Sequence, residues 1–452
     1  MESLTLNEII KFTSGVERCS NNKDSVITNI TINSKDANEG SLFIPIIGLV
    51  HDGHKFMEDA YLHGCRSFLC DINHDFNKDD INVIQVLDTT KAFGLIAKGY
   101  KEKFDIKTVG ITGSVGKTST KDIINSVLKT KYVTIKTEGN LNNEIGLPKT
   151  LFTITNDTQI GIIEMGMDKK GEIDYLSKLV NEDVAVITNI GMSHIGNFKN
   201  QEGIFDAKME IVNGLKENGT LIVNGDDKFL RTLIDKKHDY DLITYGFNDY
   251  NDIYCREYNI KDESIDFTCI YENKEYSFEI NTMAKHNIGN ALVSIILGFM
   301  FGLTEKEIST GLAHIEFSSN RLDIIKTNKY TIINDCYNAS YDSVVSAISV
   351  LNSFKTRKVA ILGDILELGG YSKRIHEMLG RVITCDLLIA VGNDARLIKE
   401  EAEKRNIDSY YFKDKEDFYK EIDNLLDEGD TILVKASNGM KFNDITEKLQ
   451  EK

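Results

Sequence analysis

The chain has 452 residues, which at roughly 100–200 residues per domain predicts about three domains. Hydrophobic residues make up 41% and charged residues 27%, so the composition excludes a disordered or fibrous protein. The formal net charge of −17 argues against nucleic-acid binding, because neutralising phosphates along a strand needs clustered Lys and Arg.

The cysteines and the apolar segments indicate where the protein resides. The seven cysteines form no CxxC pair, which argues against a disulfide framework or a zinc ribbon and favours reduced thiols in the cytoplasm. The N-terminus has no signal-peptide pattern, and the most apolar stretch, 288–303, is too short for a membrane span. We expect a cytoplasmic, monomeric protein that does not insert into membranes, with 288–303 as a buried helix.

The first two predicted domains differ in how regularly strands and helices alternate. Residues 1–87 mix short elements, with strands at 41–45 and 65–70 and a helix at 56–64 that ends at a glycine. Residues 88–314 alternate regularly, with a helix at 117–129 and apolar strands at 108–112, 160–164 and 184–188. Strands that are apolar on both faces and separated by helices predict a parallel sheet.

The alternation starts again in the last third of the chain. Residues 315–452 contain predicted strands at 330–334, 358–362, 386–391 and 431–434, with helical stretches between them. This pattern is typical of a doubly wound domain. The predicted fold is therefore α/β with three domains: a small α/β domain, a central parallel-sheet domain of the P-loop ATPase kind and a Rossmann-like C-terminal domain.

The strongest local motif is a glycine-rich turn between a predicted strand and a predicted helix. It reads Thr112-Gly113-Ser114-Val115-Gly116-Lys117-Thr118-Ser119. The helix N-terminus offers free N–H groups to phosphates, Lys117 can reach the terminal phosphates, and the Thr118 hydroxyl can ligate Mg²⁺. The general P-loop pattern would need Gly where this chain has Ile111, and the compact form points to a smaller set of ATP-dependent ligases.

A series of further motifs follows this loop in order. They are Gly139-Asn140-Leu141-Asn142-Asn143-Glu144-Ile145-Gly146-Leu147-Pro148, Glu164-Met165-Gly166, Gly171-Glu172-Ile173, Thr188-Asn189-Ile190-Gly191-Met192-Ser193-His194, Ala207-Lys208, His286-Asn287-Ile288-Gly289-Asn290-Ala291, Arg321-Leu322 and Leu362-Gly363-Asp364. In this order the motifs resemble the Mur ligase family over nearly the whole chain.

The resemblance implies an enzyme and a reaction. It implies ATP-dependent ligation of D-alanyl-D-alanine to UDP-N-acetylmuramoyl-tripeptide through an acyl phosphate, which yields ADP, phosphate and the UDP-pentapeptide precursor of peptidoglycan. Such chemistry needs cations and Mg²⁺ to stabilise charge on the phosphoryl oxygens and then on a tetrahedral oxyanion. The UDP-tripeptide would bind in residues 1–87, ATP in 88–314 and the dipeptide in 315–452, which would also close over ATP.

The resemblance also assigns the catalytic and metal-binding residues. It implies two Mg²⁺ sites, the first at Thr118 and Glu164 and the second involving His194. Lys208 lies four residues after Ile204 on the apolar face of a helix predicted at 201–215, where burial disfavours the charged amine. The resemblance implies that Lys208 is carbamylated and binds Mg²⁺, whereas a lysine that snorkels from an apolar face is the alternative. It adds Lys117 and Arg321 as catalytic cations.

The remaining predicted contacts concern ATP and the two other substrates. The 113–119 turn would hold the phosphates, Asn287 and Asn290 would read the adenine, and Arg321 and Asp335 would reach ATP from the third domain; capping of a helix is the alternative for Asn287. The other substrates would be held by Ser34, Gly48, His51, Asp52, Tyr337 and Asn338.

Three segments depart from the family pattern and keep alternatives open. The chain has Asn33-Ser34-Lys35, Asn338-Ala339-Ser340-Tyr341 and Lys435-Ala436-Ser437-Asn438 where the family usually has Asp-Ser-Arg, Asn-Ala-Asn-Pro and Lys-Gly-Ser-Arg. The last two segments lie in the domain expected to bind the dipeptide. Another ligase of the superfamily, a paralogue with altered dipeptide choice, a non-catalytic nucleotide-binding paralogue and a plain P-loop ATPase are the competing hypotheses.

Overall fold

Three large sheets covered by helices organise the chain in the computed structural model, which describes residues 1–19, 25–48, 50–261 and 263–451. The N-terminal sheet has five strands in the order β2-β7-β6-β5-β4, and all of its neighbours are parallel except β2 and β7. A separate two-stranded ribbon pairs β1 with β3. The elements of this part are β1 (Leu4–Thr5), α1 (Leu6–Thr13), β2 (Val16–Cys19), β3 (Val26–Ile27), β4 (Asn29–Thr31), β5 (Ser41–Phe43), α2 (Met57–Leu62), β6 (Ser67–Asp71) and β7 (Asn82–Val86).

The central sheet has nine strands in the order β16-β15-β14-β13-β12-β11-β8-β10-β9. Strands β8 to β14 are mutually parallel, and β15 and β16 extend the sheet as an antiparallel hairpin. The elements are α3 (Thr89–Lys101), β8 (Lys107–Thr112), α4 (Lys117–Leu128), β9 (Thr134–Lys136), α5 (Gly146–Leu151), β10 (Ile160–Glu164), α6 (Glu172–Val180), β11 (Val184–Ile187), α7 (Gln201–Met209), β12 (Thr220–Asn224), β13 (Asp241–Gly246), β14 (Ile253–Ile260), β15 (Ile265–Tyr271), β16 (Lys274–Ile280), α8 (Asn287–Met300) and α9 (Glu305–Ala313).

The C-terminal sheet has six strands in the order β17-β18-β22-β19-β20-β21, parallel except for the edge strand β17. Its four inner strands are almost entirely buried because helices cover both faces, as expected for a doubly wound sheet. The elements are β17 (Asp323–Lys326), β18 (Thr331–Asn334), α10 (Tyr341–Leu351), β19 (Lys358–Gly363), α11 (Ser372–Val382), β20 (Leu387–Val391), α12 (Ala395–Glu403), β21 (Asp408–Phe412), α13 (Lys415–Leu425), β22 (Thr431–Lys435) and α14 (Asn443–Gln450).

The position of the central site follows from the strand order around β8. The chain leaves β8 toward β9 and β10 on one side and returns to β11 on the other side. Such a switch point leaves a crevice at the carboxyl ends of parallel strands, where ligands bind in α/β sheets. The turn between β8 and α4 lies at this crevice, so the sheet topology directs a helix N-terminus into it.

The structure confirms the α/β class with three domains, and most predicted strands lie within a residue or two of the observed ones. The helix predicted at 201–215 is wrong in its length, because α7 ends at Met209 and a 3₁₀ turn follows over Glu210–Asn213. There the Glu210 carboxylate accepts a hydrogen bond from the Gly171 N–H at 2.9 Å, a long-range contact that a helical pattern does not reveal.

The apolar segment and the thiols agree with expectation. Residues 288–303 fall largely in the buried helix α8, and no helix of the described part of the chain has the length and apolarity needed to cross a membrane. All seven cysteines are free thiols.

Candidate active site

The turn between β8 and α4 requires glycine at two positions. Gly113 has φ +151°, and a Cβ atom there would lie 1.8 Å from Thr188 Oγ1. Gly116 has φ +87° and caps the N-terminus of α4. Because side chains are excluded at both positions, the turn brings backbone N–H groups close to whatever occupies the crevice.

Two residues at the end of β11 fix the shape of this turn. The Asn189 side chain accepts a hydrogen bond from the Val115 N–H at 3.0 Å and donates one to the Val115 carbonyl at 2.8 Å. The Thr188 hydroxyl donates to the same carbonyl at 2.7 Å. Sequence reasoning gave neither residue a role, although a Thr-Asn pair at the carboxyl end of a strand adjacent to β8 was the available signal.

Lys117 and Thr118 begin helix α4 at the floor of the crevice. Lys117 Nζ donates to the Gly113 carbonyl at 2.8 Å, so the side chain folds back over the turn. Loss of hydration lowers the pKa of Lys117, the nearby Arg321 charge lowers it further, and Glu164 opposes both. The Thr118 hydroxyl donates to Glu164 Oε2 at 2.8 Å.

Glu164 lies at the carboxyl end of β10, beside the turn. Only 2% of its surface is exposed, and Asn142 Nδ2 donates to its second oxygen at 2.9 Å. One carboxylate oxygen is thus held at the start of α4, and the other is held by the 139–148 segment. Asn142 is a further orienting residue, and the sequence placed it only within the 139–148 motif.

Lys208 projects from α7 into the same crevice. It is 3% exposed, and among the described residues nothing accepts a hydrogen bond or an ion pair from its amine. Burial first, and then the charge of Lys117, holds the pKa of Lys208 well below its ordinary value. This shift favours the neutral form of the amine, which is the form that reacts as a nucleophile.

His194 brings two carboxylates from different domains to one point. Its Nδ1 lies 3.0 Å from Asp168 Oδ1 and 2.8 Å from Glu367 Oε2. Neither oxygen lies in a hydrogen-bonding direction, so Nδ1 is buried without a hydrogen-bond partner among the residues that the structure describes. Loss of hydration lowers the pKa of His194, an effect that Glu367 opposes. Three ligand atoms thus converge within 4.8 Å of one another, an arrangement suited to a cation.

The two asparagines of α8 have different surroundings. Asn287 borders the crevice and donates to Thr282 Oγ1 at 3.1 Å, while Asn290 donates to Asn287 Oδ1 at 2.9 Å. The Asn290 oxygen accepts from Thr120 of α4 at 2.9 Å. Asn290 therefore supports the phosphate turn from behind, and Asn287 is the member of the pair that a ligand can reach.

The C-terminal domain supplies the opposite wall. The Arg321 guanidinium lies 3.8 Å from the centre of the Tyr337 ring, and in the described part of the chain its buried Nε has no hydrogen-bond partner. Lys435, at the end of β22, forms an ion pair with Asp335 at 2.5 Å and donates to the Asn338 carbonyl at 2.8 Å. Lys435 was not among the predicted site residues, yet it fixes the turn that carries three of them.

These walls enclose a cleft of about 820 Å³ between the central and C-terminal domains. The residues lining it include most of those predicted for catalysis, ATP and Mg²⁺: Ser114, Val115, Gly116, Lys117, Thr118, Ser119, Glu164, His194, Lys208, Asn287, Arg321 and Asp335. Tyr337 and Asn338, predicted for a substrate, line it too. Gly113 and Asn290 lie directly behind this lining.

The four residues predicted to bind the UDP-sugar lie elsewhere, in the N-terminal domain. Ser34 begins a 3₁₀ turn, the Gly48 N–H donates to the His51 carbonyl at 2.8 Å, and the Asp52 carboxylate caps a second 3₁₀ turn. The backbone hydrogen bond from His54 is the main reason why the pKa of Asp52 falls to about 2. A second cavity of about 460 Å³ lies between this region and the central domain and borders Ile47.

Comparison with known proteins agrees with this arrangement. The Mur ligase middle domain matches residues 111–298, and the Mur ligase glutamate ligase domain matches residues 320–438. The chain is 38% identical to the UDP-N-acetylmuramoyl-tripeptide–D-alanyl-D-alanine ligase of Bacillus subtilis, over 99% of this chain and 98% of the relative.

Solved structures show the same three-domain arrangement. MurF from Acinetobacter baumannii superimposes with a TM-score of 0.93 at 28% identity and covers 100% of both chains. MurF ligase from Thermotoga maritima, in complex with ADP, superimposes with a TM-score of 0.83 at 27% identity, over 94% of this chain and 97% of that one. The chain belongs to the Mur ligase family, in its UDP-N-acetylmuramoyl-tripeptide–D-alanyl-D-alanine ligase branch.

Proposed function

We propose that this protein uses ATP to join D-alanyl-D-alanine to the terminal carboxylate of UDP-N-acetylmuramoyl-tripeptide. The observation that carries the proposal is one cleft in which the phosphate turn, Glu164, Lys208 and His194 face Arg321 of another domain. A plain ATPase has no need of the buried Lys208 amine or of the additional N-terminal domain. A non-catalytic paralogue has no need to keep the charged residues of the cleft together.

The phosphate turn and α4 hold ATP. Backbone N–H groups of the turn and the α4 N-terminus bind the phosphates, and Lys117 turns from the Gly113 carbonyl toward the transferred phosphoryl group. The tripeptide carboxylate attacks the terminal phosphorus, the bond between phosphorus and the bridging oxygen breaks, and ADP leaves. Asn287 contacts the adenine, while Asn290 supports it indirectly through the turn.

The residues of the cleft fit Mg²⁺ at two places. The Thr118 hydroxyl and the Glu164 carboxylate offer oxygen ligands beside the phosphate turn, and His194 offers a ligand near Lys208. Bound Mg²⁺ would neutralise charge on the phosphoryl oxygens during transfer. The second place gains an anionic ligand when Lys208 is carbamylated. In that step its neutral Nζ bonds to the carbon of CO₂, and one proton is released.

The C-terminal domain delivers the amine. The dipeptide amine attacks the acyl phosphate carbon, and phosphate leaves once the tetrahedral intermediate collapses. Arg321 stabilises the charge on the phosphate that departs, and Tyr337 holds the guanidinium by stacking on it. Asp335 and Asn338, fixed by Lys435, shape the wall where the dipeptide enters.

We assign the UDP-linked substrate to residues 1–87, ATP to residues 88–314 and the dipeptide to residues 315–452. The UDP-sugar binds near Ser34, Gly48, His51 and Asp52. The cytoplasmic location and the monomeric state stay predictions.

The decisive experiment measures ADP and phosphate release with Mg²⁺-ATP, UDP-N-acetylmuramoyl-tripeptide and bicarbonate, with and without D-alanyl-D-alanine. We expect release to need both acceptor and dipeptide and to yield the UDP-pentapeptide by mass spectrometry. Lys117→Ala should abolish release, and Lys129→Ala, at the far end of α4 and paired with Glu316, is the matched control. Release with only another dipeptide would move the assignment to a ligase of different specificity. ATP binding without release in any combination would refute ligation.

A further inference from the structure

Two stacked histidines join three segments of the N-terminal domain. The rings of His54 and His74 are parallel within 6°, with centroids 3.9 Å apart. Asp52 Oδ1 accepts from His54 Nδ1 at 2.8 Å, and Asp52 Oδ2 lies 3.0 Å from His74 Nε2. On the other side, His74 Nδ1 lies 2.9 Å from Asp71 Oδ1. We call Asp52, His54, Asp71 and His74 the histidine latch.

The backbone fixes the protonation of His54. The Asp71 N–H donates to His54 Nε2 at 3.2 Å, so Nε2 carries a lone pair. The proton of the neutral ring is therefore on Nδ1, which donates it to Asp52. His54 is a neutral spacer with one defined tautomer.

Neither tautomer of a neutral His74 fits its surroundings, because each ring nitrogen faces a carboxylate oxygen. A neutral imidazole has one N–H and would direct a lone pair at either Asp52 or Asp71. Only the imidazolium satisfies both contacts. The Asp71 hydrogen bond is the main reason why the pKa of His74 is raised, so the charged ring persists to higher pH than for an ordinary histidine.

The same geometry argues against a metal ion at these residues. A histidine that binds a metal through one nitrogen carries its proton on the other and donates it to a neighbour. His54 has the opposite arrangement, because its Nε2 accepts from the backbone and its Nδ1 is protonated. The carboxylate charge is instead neutralised by the His74 ring.

The latch controls the turn that we propose for the UDP-sugar. This turn, residues 46–48 and 50–54, is held by the Gly48 to His51 backbone hydrogen bond and by the bridge between Ile47 and Asp52. Ile47 and Asp71 both border the cavity of about 460 Å³ between the domains. His74 thus ties one wall of that cavity, at the end of β6, to the turn that forms another.

We propose that His74, as an imidazolium, is a positioning residue that holds the Asp52 turn in the conformation that receives the UDP-linked substrate. The inference rests on the proposed function and adds a residue that acts through Asp52 without touching substrate. The groups that face the His74 ring are Asp52, His54 and Asp71, and the Cys70 thiol donates to the His74 backbone carbonyl at 3.2 Å. Because carboxylates hold the ring, the latch is present below the raised pKa of His74 and opens as pH rises through it.

The test separates KM from kcat. His74→Gln should raise KM for UDP-N-acetylmuramoyl-tripeptide about tenfold, the scale of one lost charge-assisted hydrogen bond, with kcat and KM for ATP unchanged. The wild-type KM should rise on the alkaline side, and that of His74→Gln should lack this rise. His74→Arg, which keeps a cation, should restore a low KM that does not change with pH. His63→Gln, at an exposed histidine of the same domain, is the control.

Equal effects of Gln and Arg at position 74, or an unchanged KM in His74→Gln, would overturn the proposal. A fall in kcat with unchanged KM would do the same. Calorimetric titration of each variant with UDP-N-acetylmuramoyl-tripeptide measures the effect of the latch on substrate binding without turnover. If the wild type binds this ligand but forms no product, the proposed ligation is wrong. The binding constants of the wild type and the His74 variants still show whether His74 positions the Asp52 turn.

Discussion

At the scale of single residues, Lys208 shows how burial creates reactivity. An exposed lysine is protonated at neutral pH and does not react with CO₂, whereas the amine of Lys208 is buried near the charge of Lys117. The surrounding protein therefore favours the neutral form that carbamylation needs.

We expect wild-type protein in ¹³C-bicarbonate to show a carbamate resonance that Lys208→Ala lacks. Ligation by Lys208→Ala should fall by at least about 100-fold, as expected when an anion that stabilises phosphoryl transfer is removed. The carbamate should also diminish at acidic pH, because protonation removes the nucleophile. Lys216→Ala is the control, since its amine pairs with Asp183 outside the cleft. An equal resonance in Lys208→Ala would exclude this site.

Glu182 is a second buried ionisable residue, and its effect is on stability. It is 0% exposed, its Oε2 has no hydrogen-bond partner within the described ranges, and burial raises its pKa to about 8. The native state therefore holds a proton that the unfolded chain releases near pH 4.5. The contribution of this group to the free energy of unfolding is fully present below the unfolded-state pKa. It is lost as pH rises toward the native-state pKa.

Glu182→Gln should remove this pH-dependent loss of stability, because the amide has nearly the same shape as the carboxyl group and does not titrate. We expect the free energy of unfolding of the variant to fall less than that of the wild type between about pH 5 and 8. Urea titrations at several pH values would measure this difference. Parallel pH profiles for the two proteins would show that Glu182 does not titrate in this range.

At the scale of elements, the shape of the phosphate turn depends on its contact with Thr188 at the end of the neighbouring strand β11. The sequence shows why Gly113 and Gly116 can form a tight turn. The close approach of Thr188 comes from the pairing of β11 with β8. Strands and helices were largely predictable because their apolar periodicity is local, but this contact joins residues far apart in the chain.

Gly113→Ala should lower kcat/KM for ATP by at least about 100-fold, since φ +151° and the Thr188 hydroxyl at 1.8 Å both oppose a Cβ atom. Thermal unfolding should also shift downward. Gly370→Ala is the control, because a Cβ atom there meets nothing within 4 Å. Wild-type ATP kinetics in Gly113→Ala would show that the turn does not need this geometry.

At the scale of the whole molecule, backbone contacts as well as charged side chains join the central and C-terminal domains. Gly196, next to His194, packs on the third domain so closely that a Cβ atom would lie 2.7 Å from the Glu367 carbonyl and 2.8 Å from the Gly369 nitrogen. Tyr371 donates to the Lys199 carbonyl at 2.6 Å across the same contact. These contacts bring Glu367 to His194, in the cleft that Arg321 also lines.

Gly196→Ala should hold the domains apart and lower kcat about tenfold or more, because the two halves of the cleft no longer meet. Small-angle X-ray scattering should give a larger radius of gyration than for the wild type. Gly203→Ala serves as the control, since its added Cβ would come no closer than 3.6 Å to another atom. An unchanged radius and kcat in Gly196→Ala would remove this contact from the closing mechanism.

The sequence by itself determined the α/β class, the phosphate turn and the residue types of the site, because these depend on local periodicity and on motif spacing. It also indicated that Lys208 lies on a buried helix face. Only the tertiary structure decided which residues share a cleft, that Asn290 lies behind the turn, and that Lys435 and Glu367 belong to the opposite wall. The physical reason is that contacts between residues distant in the chain depend on strand order and domain packing, which leave no periodic trace in the sequence.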